Sequence, residues 1–275
     1  MTKKIGFIGA GNIGEAIIRS IIKSGLYSPD EIITGDVDES RLRYLKENFD
    51  VSVTNKNEEV AKKSKVVILA VKPNHIEEVV SEIGPLMDKD KLIISVAAGI
   101  RTERIERDGG RVIRVMPNMA CIVGESVSAI CRGKFATEED EVIAREIFIT
   151  VGKVVTIKED LMDVVTGFAS APAFVFMIIE ALADGGVHEG LDRVTALELA
   201  AQTVLGAAKL VLETKKHPEE LKDMVTSPGG TTIRGIRVIE EHRVRFALMY
   251  AVIEATERSR EFGGAKRPKE DASKA

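Results

Sequence analysis

A glycine pattern near the start of the chain limits the fold more than any other feature. The stretch Ile5-Gly6-Phe7-Ile8-Gly9-Ala10-Gly11-Asn12-Ile13-Gly14 places Gly9, Gly11 and Gly14 in a G-x-G-x-x-G spacing. The apolar run before it reads as a strand, and residues 13–24 carry the apolar spacing of a helix. Alone, the pattern marks little more than a strand-to-helix turn. Between a strand and a helix it points to a dinucleotide site. Gly9 permits the tight turn, Gly11 lets the backbone approach a pyrophosphate, and Gly14 lets the helix pack closely on the strand. The uncapped helix end, with Asn12 and Ile13 in its first turn, offers N–H groups and a positive dipole end to the anion.

The second strand ends at Gly35-Asp36, about 20 residues beyond, where such folds hold an acid against the adenosine ribose. A carboxylate there accepts from the 2′-hydroxyl of NAD and repels the 2′-phosphate of NADP. Asp38, Arg41 and Arg43 follow, and an arginine can neutralise a phosphate. The cofactor is therefore NADH or NADPH, with Asp36 favouring NADH. Three later segments fall at strand ends facing the same crevice: Ala70-Val71-Lys72-Pro73, Ala97-Ala98-Gly99 and Met116-Pro117-Asn118. Lys72 precedes Pro73 and is read as a loop residue rather than a catalytic base.

Short apolar runs at residues 5–9, 32–36, 51–54, 66–70, 92–96, 112–116, 127–130 and 154–157 alternate with helical patterns. That order predicts an α/β fold with a mainly parallel, doubly wound sheet of Rossmann type. After residue 157 the strands stop. Helices are expected over residues 161–183, 193–214, 218–226, 231–240 and 241–262. The boundary falls at Lys158-Glu159-Asp160, giving a dinucleotide-binding domain of residues 1–158 and an all-helical domain of residues 159–262. Residues 263–275 are polar and charged and read as a disordered tail.

A net charge of −4 with dispersed Lys and Arg argues against nucleic acid as a partner. Cys121 and Cys131 form no C-x-x-C pair and have no clustered histidine, so no metal is expected. His75, His188, His217 and His242 are scattered and read as surface or loop residues. The first residues carry no apolar leader. The most apolar stretch, residues 171–179, is short for a bilayer span, and residues 173–179 read as a helix buried in a dimer core. A cytoplasmic protein with no membrane role is expected.

A second site is suggested by Val225-Thr226-Ser227-Pro228-Gly229-Gly230-Thr231-Thr232. Two glycines between two helices let several N–H groups converge, and three hydroxyls add donors. The arrangement suits a carboxylate. An ordinary helix–helix loop, with Gly as C-cap and Thr as N-cap, has the same spacing.

That loop, followed by Gly235, Ile236 and Glu240, resembles the signature of the pyrroline-5-carboxylate reductases. The glycine segment, Ala70-Val71-Lys72-Pro73, Arg114-Val115-Met116-Pro117-Asn118, Ser170-Ala171-Pro172-Ala173-Phe174 and Ala181-Leu182-Ala183-Asp184-Gly185-Gly186 agree with it. The resemblance covers about residues 3 to 262. It implies that the helical domain dimerises, in a homodimer at least, and the family also forms larger rings of dimers. It implies reduction of the cyclic imine of 1-pyrroline-5-carboxylate to L-proline by NAD(P)H. Val225, Ser227, Gly229, Gly230, Thr231 and Thr232 would bind the substrate, with the Thr232 hydroxyl at the ring nitrogen as the catalytic group. Asn57 would touch the adenosine side of the cofactor. The chain departs from the family at Gly35-Asp36-Val37, where a Ser-Asn-Arg-type stretch suited to NADP is common. Ala169 and Ala171 stand where glycines are usual. Two other readings have sequence arguments against them. A 3-hydroxyacid dehydrogenase needs a lysine on the helix of residues 161–183, which has none. A non-catalytic nicotinamide sensor has no use for the substrate loop.

Overall fold

The structure, a computed structural model, describes residues 3–106 and 110–264. It divides into two compact units, Met1–Ala169 with Glu254–Ala275, and Ser170–Ile253. Beyond Gly264, the expected disordered tail lies outside the described residues.

The first unit is an α/β layer structure. Its strands are β1 (Lys3–Ile8), β2 (Ile32–Gly35), β3 (Ser52–Thr54), β4 (Ser64–Leu69), β5 (Leu92–Ser95), β6 (Arg111–Met116), β7 (Ser126–Arg132) and β8 (Gly152–Thr156). They form one sheet in the order β3-β2-β1-β4-β5-β6-β7-β8. Every pair is parallel except β6 with β7. The link from β6 to β7 is too short to hold a crossover helix, so β7 runs back beside its neighbour.

Five helices cover the sheet: α1 (Asn12–Lys23), α2 (Glu39–Phe49), α3 (Asn57–Lys63), α4 (Ile76–Ile83) and α5 (Glu138–Ile149). Alternate strand residues feed two separate cores. On β4, Val66 and Ile68 pack with Ile17, Ile18 and Ile21 of α1 and Phe148 of α5. Val67 and Leu69 pack on the other side with Val60 of α3 and Val80 of α4. A sheet buried on both faces explains why its strands are continuous apolar runs instead of alternating ones.

The helix expected over residues 161–183 is two helices, α6 (Met162–Ala169) and α7 (Ala171–His188). Pro172 sits in the first turn of α7 and has no N–H for a preceding turn, so the chain restarts at Ser170. Helix α6 stays with the first unit. Met162 is buried with Ala129 and Cys131 of β7. Asp163 accepts hydrogen bonds from buried Arg114 of β6 at 3.4 Å and from Ser259 at 2.8 Å. The boundary expected at 158/159 and the division at 169/170 therefore do not coincide, and the end of the last helix returns to the first unit.

The second unit holds α7, α8 (Arg193–Thr214), α9 (Pro218–Met224), α10 (Thr231–Glu241) and the start of α11 (Val244–Phe262). Helices α7 and α8 meet through small residues, with Ala183, Ala196 and Ala200 buried between them. Their long apolar side chains point outward: Phe176 is 59% and Met177 is 69% exposed, so the helix expected to be buried over residues 173–179 is not covered within the single chain. The apolar run is also longer than residues 171–179. By length and composition alone, Glu159–His188 and Arg193–Thr214 are each long and apolar enough to cross a bilayer, although Asp163, Glu180 and Asp184 interrupt the first.

Candidate active site

Strand order reverses at β1 and β4: β2 and β3 lie beyond β1, and β5 lies beyond β4. That switch opens a crevice at the carboxyl ends of the strands. Gly9 occupies it at φ +106°, and a Cβ there would lie 2.6 Å from the Ala70 carbonyl carbon. The Gly9 N–H donates to the Gly35 carbonyl at 2.8 Å, and the Ala70 N–H donates to the Ile8 carbonyl at 2.8 Å. A Cβ on Gly14 would stand 2.5 Å from the Gly9 carbonyl oxygen, so α1 rests directly on the turn. Gly11 faces open space, with no heavy atom within 4 Å of the Cβ it lacks. It is the N-cap of α1, and no side chain caps that end. The start of α1 thus keeps its N–H groups free of any side-chain cap beside a glycine with open space around it, which suits a pyrophosphate.

The Asp36 carboxylate is fixed by two backbone donors. Its Oδ2 accepts from the Ala10 N–H at 2.6 Å and its Oδ1 from the Asp38 N–H at 2.9 Å. Arg41 points elsewhere: its guanidinium donates to the Ala10 carbonyl at 2.8 and 3.0 Å and to Glu15 at 2.6 Å. Burial pulls the Glu15 pKa up, but hydrogen bonds from Arg41 and Arg19 more than offset this and leave it below the usual carboxylate range. Gly9, Gly35, Asp36, Asn57 and Val71 line one cavity of about 330 Å³.

The other strand ends are placed less uniformly. Ala97 is buried. Gly99 adopts φ +73°, and a Cβ there would lie 2.7 Å from the Ser259 carbonyl oxygen and from Phe262, so the end of α11 closes over this loop. Pro117 is buried beyond half-buried Met116, and the Asn118 side chain accepts from the Ala120 N–H at 3.1 Å. Asn118 therefore also caps the short turn Met119–Val123. Lys72 is exposed ahead of a turn beginning at Pro73, outside the cavity that holds Asp36.

In the second unit, Ser227-Pro228-Gly229-Gly230 joins α9 to α10. Gly229 takes φ +68°, and a Cβ on Gly230 would collide with the Ser227 hydroxyl at 2.2 Å. The N-cap of α10 is Gly230, not the threonine that the ordinary-loop alternative calls for, and no side chain caps this helix. Thr231 and Thr232 open its first turn, and Val225 closes α9. Thr226 is occupied locally, donating to the Lys222 carbonyl at 2.6 Å. The result is a helix N-terminus with backbone donors and hydroxyls around an unblocked end, suited to a carboxylate.

Comparison with known proteins decides the family. A pyrroline-5-carboxylate reductase of Methanosarcina acetivorans is 51% identical over 265 residues, 95% of this chain and 98% of the relative. The chain belongs to the pyrroline-5-carboxylate reductase family. Residues 159–262 match the model of the pyrroline-5-carboxylate reductase dimerisation region, and residues 4–99 match that of the coenzyme F420-dependent NADP oxidoreductases. The solved reductase of Coxiella burnetii is 34% identical and superposes with a TM-score of 0.87, covering 95% of this chain and 99% of that one. The Plasmodium falciparum pyrroline carboxylate reductase, solved with NADP bound, is 30% identical with a TM-score of 0.87, covering 95% of this chain and 98% of that one.

Within this member of the reductase family, the cavity wall includes residues that the sequence did not assign to a site: Val37, His75, Glu78, Val79 and Glu82. Val37 is 91% exposed at the mouth. The other four recur at i, i+3, i+4 and i+7, one face leading into and along α4 directly after Val71-Lys72-Pro73. That spacing was the available signal. His75 is exposed as expected, yet it lines the cavity.

Proposed function

We propose that this chain reduces the C=N bond of 1-pyrroline-5-carboxylate to give L-proline, preferring NADH as hydride donor, and that it works as a soluble, cytoplasmic homodimer. The observation that carries the reading is the uncapped start of α10 beside Ser227, Gly229 and Gly230, in a chain whose relatives across nearly its full length are reductases of this imine. The dimer is supported by the match of residues 159–262 to the dimerisation region and by the outward apolar side chains of α7 and α8.

When bound, the reduced nicotinamide supplies the hydride. The chain's own residues hold and position. Gly9, Gly11, Asn12, Ile13 and Gly14 present backbone donors to the pyrophosphate, and Asp36 and Asn57 face the adenosine end. Ala70, Val71, Lys72, Pro73, Ala97, Gly99, Met116, Pro117 and Asn118 form the strand-end loops along which the cofactor would lie. Val225, Ser227, Gly229, Gly230 and Thr231 hold the substrate carboxylate, and the Thr232 hydroxyl bonds the ring nitrogen. No acid or base is needed in the loop. A protonated imine is already the better electrophile, and the amine that forms needs only a hydrogen-bond partner. Catalysis then rests on orientation and enclosure.

Thr232→Ala tests this. Loss of one hydrogen bond at about 1–3 kcal/mol predicts a fall in kcat/KM of roughly 5- to 150-fold, largely recovered in Thr232→Ser. An unchanged kcat/KM in Thr232→Ala would remove the hydroxyl from the reaction.

A further inference from the structure

The wall of the cavity that holds Asp36 carries two more carboxylates, Glu78 and Glu82, both on α4. Glu82 Oε2 accepts a hydrogen bond from Asn57 Nδ2 at 2.8 Å. A carboxylate only accepts, so this bond fixes which way the Asn57 amide points: its nitrogen is drawn to Glu82. The Asn57 oxygen is left on the side of Gly35, 3.7 Å from the Cβ that Gly35 lacks. The end of β2 therefore meets an acceptor from Asn57 and an acceptor from Asp36. A ribose hydroxyl can donate to both. A phosphate, which only accepts at neutral pH, gains from neither.

Positive charge that could offset this is committed elsewhere or absent. Among the described residues no Lys or Arg lines the cavity, and its basic side chain, His75, stands 3.8 Å from Glu78. Arg41 is held by the Ala10 carbonyl and Glu15.

We infer that Glu82, through its grip on Asn57, and Glu78 beside it are further determinants of cofactor choice, which set the adenosine end against a 2′-phosphate. This rests on the proposal that Asp36 faces the ribose and favours NADH. Asp36 rejects the phosphate by direct repulsion, whereas Glu82 does so by orienting Asn57 and both glutamates add to the negative field.

The test is equilibrium binding to the full-length protein, so that the chemical step does not enter. Affinities for NADH and NADPH are measured by fluorescence titration, and those for AMP and adenosine 2′,5′-bisphosphate by calorimetry. The proteins are wild type, Glu82→Gln, the double variant Glu78→Gln with Glu82→Gln, and Glu82→Lys. In the double variant, binding of NADPH and of the bisphosphate should tighten by roughly three- to tenfold relative to NADH and AMP, the scale for partly screened charges. Glu82→Lys should shift the ratio further, and high salt should shrink the gain. An unchanged ratio in both the double variant and Glu82→Lys, with NADH binding retained, would overturn the inference. Tighter NADPH than NADH binding by wild type would instead overturn the reading of Asp36.

Discussion

Gly9 shows how little room single residues have at this site. Its φ of +106° is costly for any residue with a side chain, and the added Cβ would press on the Ala70 carbonyl at 2.6 Å. The obstacle is the backbone of Ala70 and Val71 just beyond β4, which cannot rotate away as a side chain could. Gly9→Ala should lower the melting temperature by several degrees and weaken NADH binding at least tenfold, on the scale of about 1–3 kcal/mol of local strain. Thermal scans with and without NADH check both effects. Gly11→Ala should behave differently. Its Cβ meets nothing in the protein, so stability should hold while cofactor affinity falls. Equal thermal stability losses in the two variants would contradict the distinct roles given to these glycines. The cysteines carry no such constraint on function. Both are buried, and burial pushes the Cys131 thiol up to about 12, far from a reactive thiolate.

The elements around the crevice were readable in the sequence because their cores are. Eight apolar runs became eight strands, since a sheet buried on both faces demands continuous apolar segments. Residues 193–214 became α8 without change. What escaped was partly local detail and partly contacts between residues distant in sequence. The break at Ser170 turned on a single proline inside an apolar run, and the reversed β7 on a link too short for a helix. The Asn57–Glu82 bond joins residues on two helices, and no local pattern announces it. Even so, the spacing of His75, Glu78, Val79 and Glu82 was present in the sequence and lacked only a reason to be noticed. Elements also carry the electrostatics. Glu15 on α1 is tied to Arg41 on α2, and its pKa is depressed from the ordinary 4.5. A carboxylate depressed on folding stabilises fully above its unfolded value, and that contribution is lost as pH falls through the folded value. Wild type should exceed Glu15→Gln in unfolding free energy by about 1 kcal/mol at pH 7, and the gap should narrow as pH falls below the ordinary 4.5 toward the lower folded value. Urea titrations at pH 7, 5 and 3.5 measure it. A gap as large at pH 3.5 as at pH 7 would rule out the ion pair as its source.

At the scale of the whole molecule, the second unit does not bury its own apolar surface. Phe246 and Met249 of α11 are each 64% exposed in the single chain, in addition to Phe176 and Met177. A single soluble chain rarely leaves so many long apolar side chains in water, and a second copy is the cover that the dimerisation match suggests. Sedimentation should give a dimer at micromolar concentration. Phe246→Glu should weaken it and make activity fall on dilution, and a monomeric wild type with full activity would contradict the proposed assembly. The measurement that bears most directly on the central claim is oxidation of NADH and of NADPH by the purified protein, with and without 1-pyrroline-5-carboxylate. The account predicts oxidation that requires the imine, yields proline and has a higher kcat/KM for NADH than for NADPH. Folded, dimeric protein that oxidises neither cofactor in the presence of the imine would contradict it.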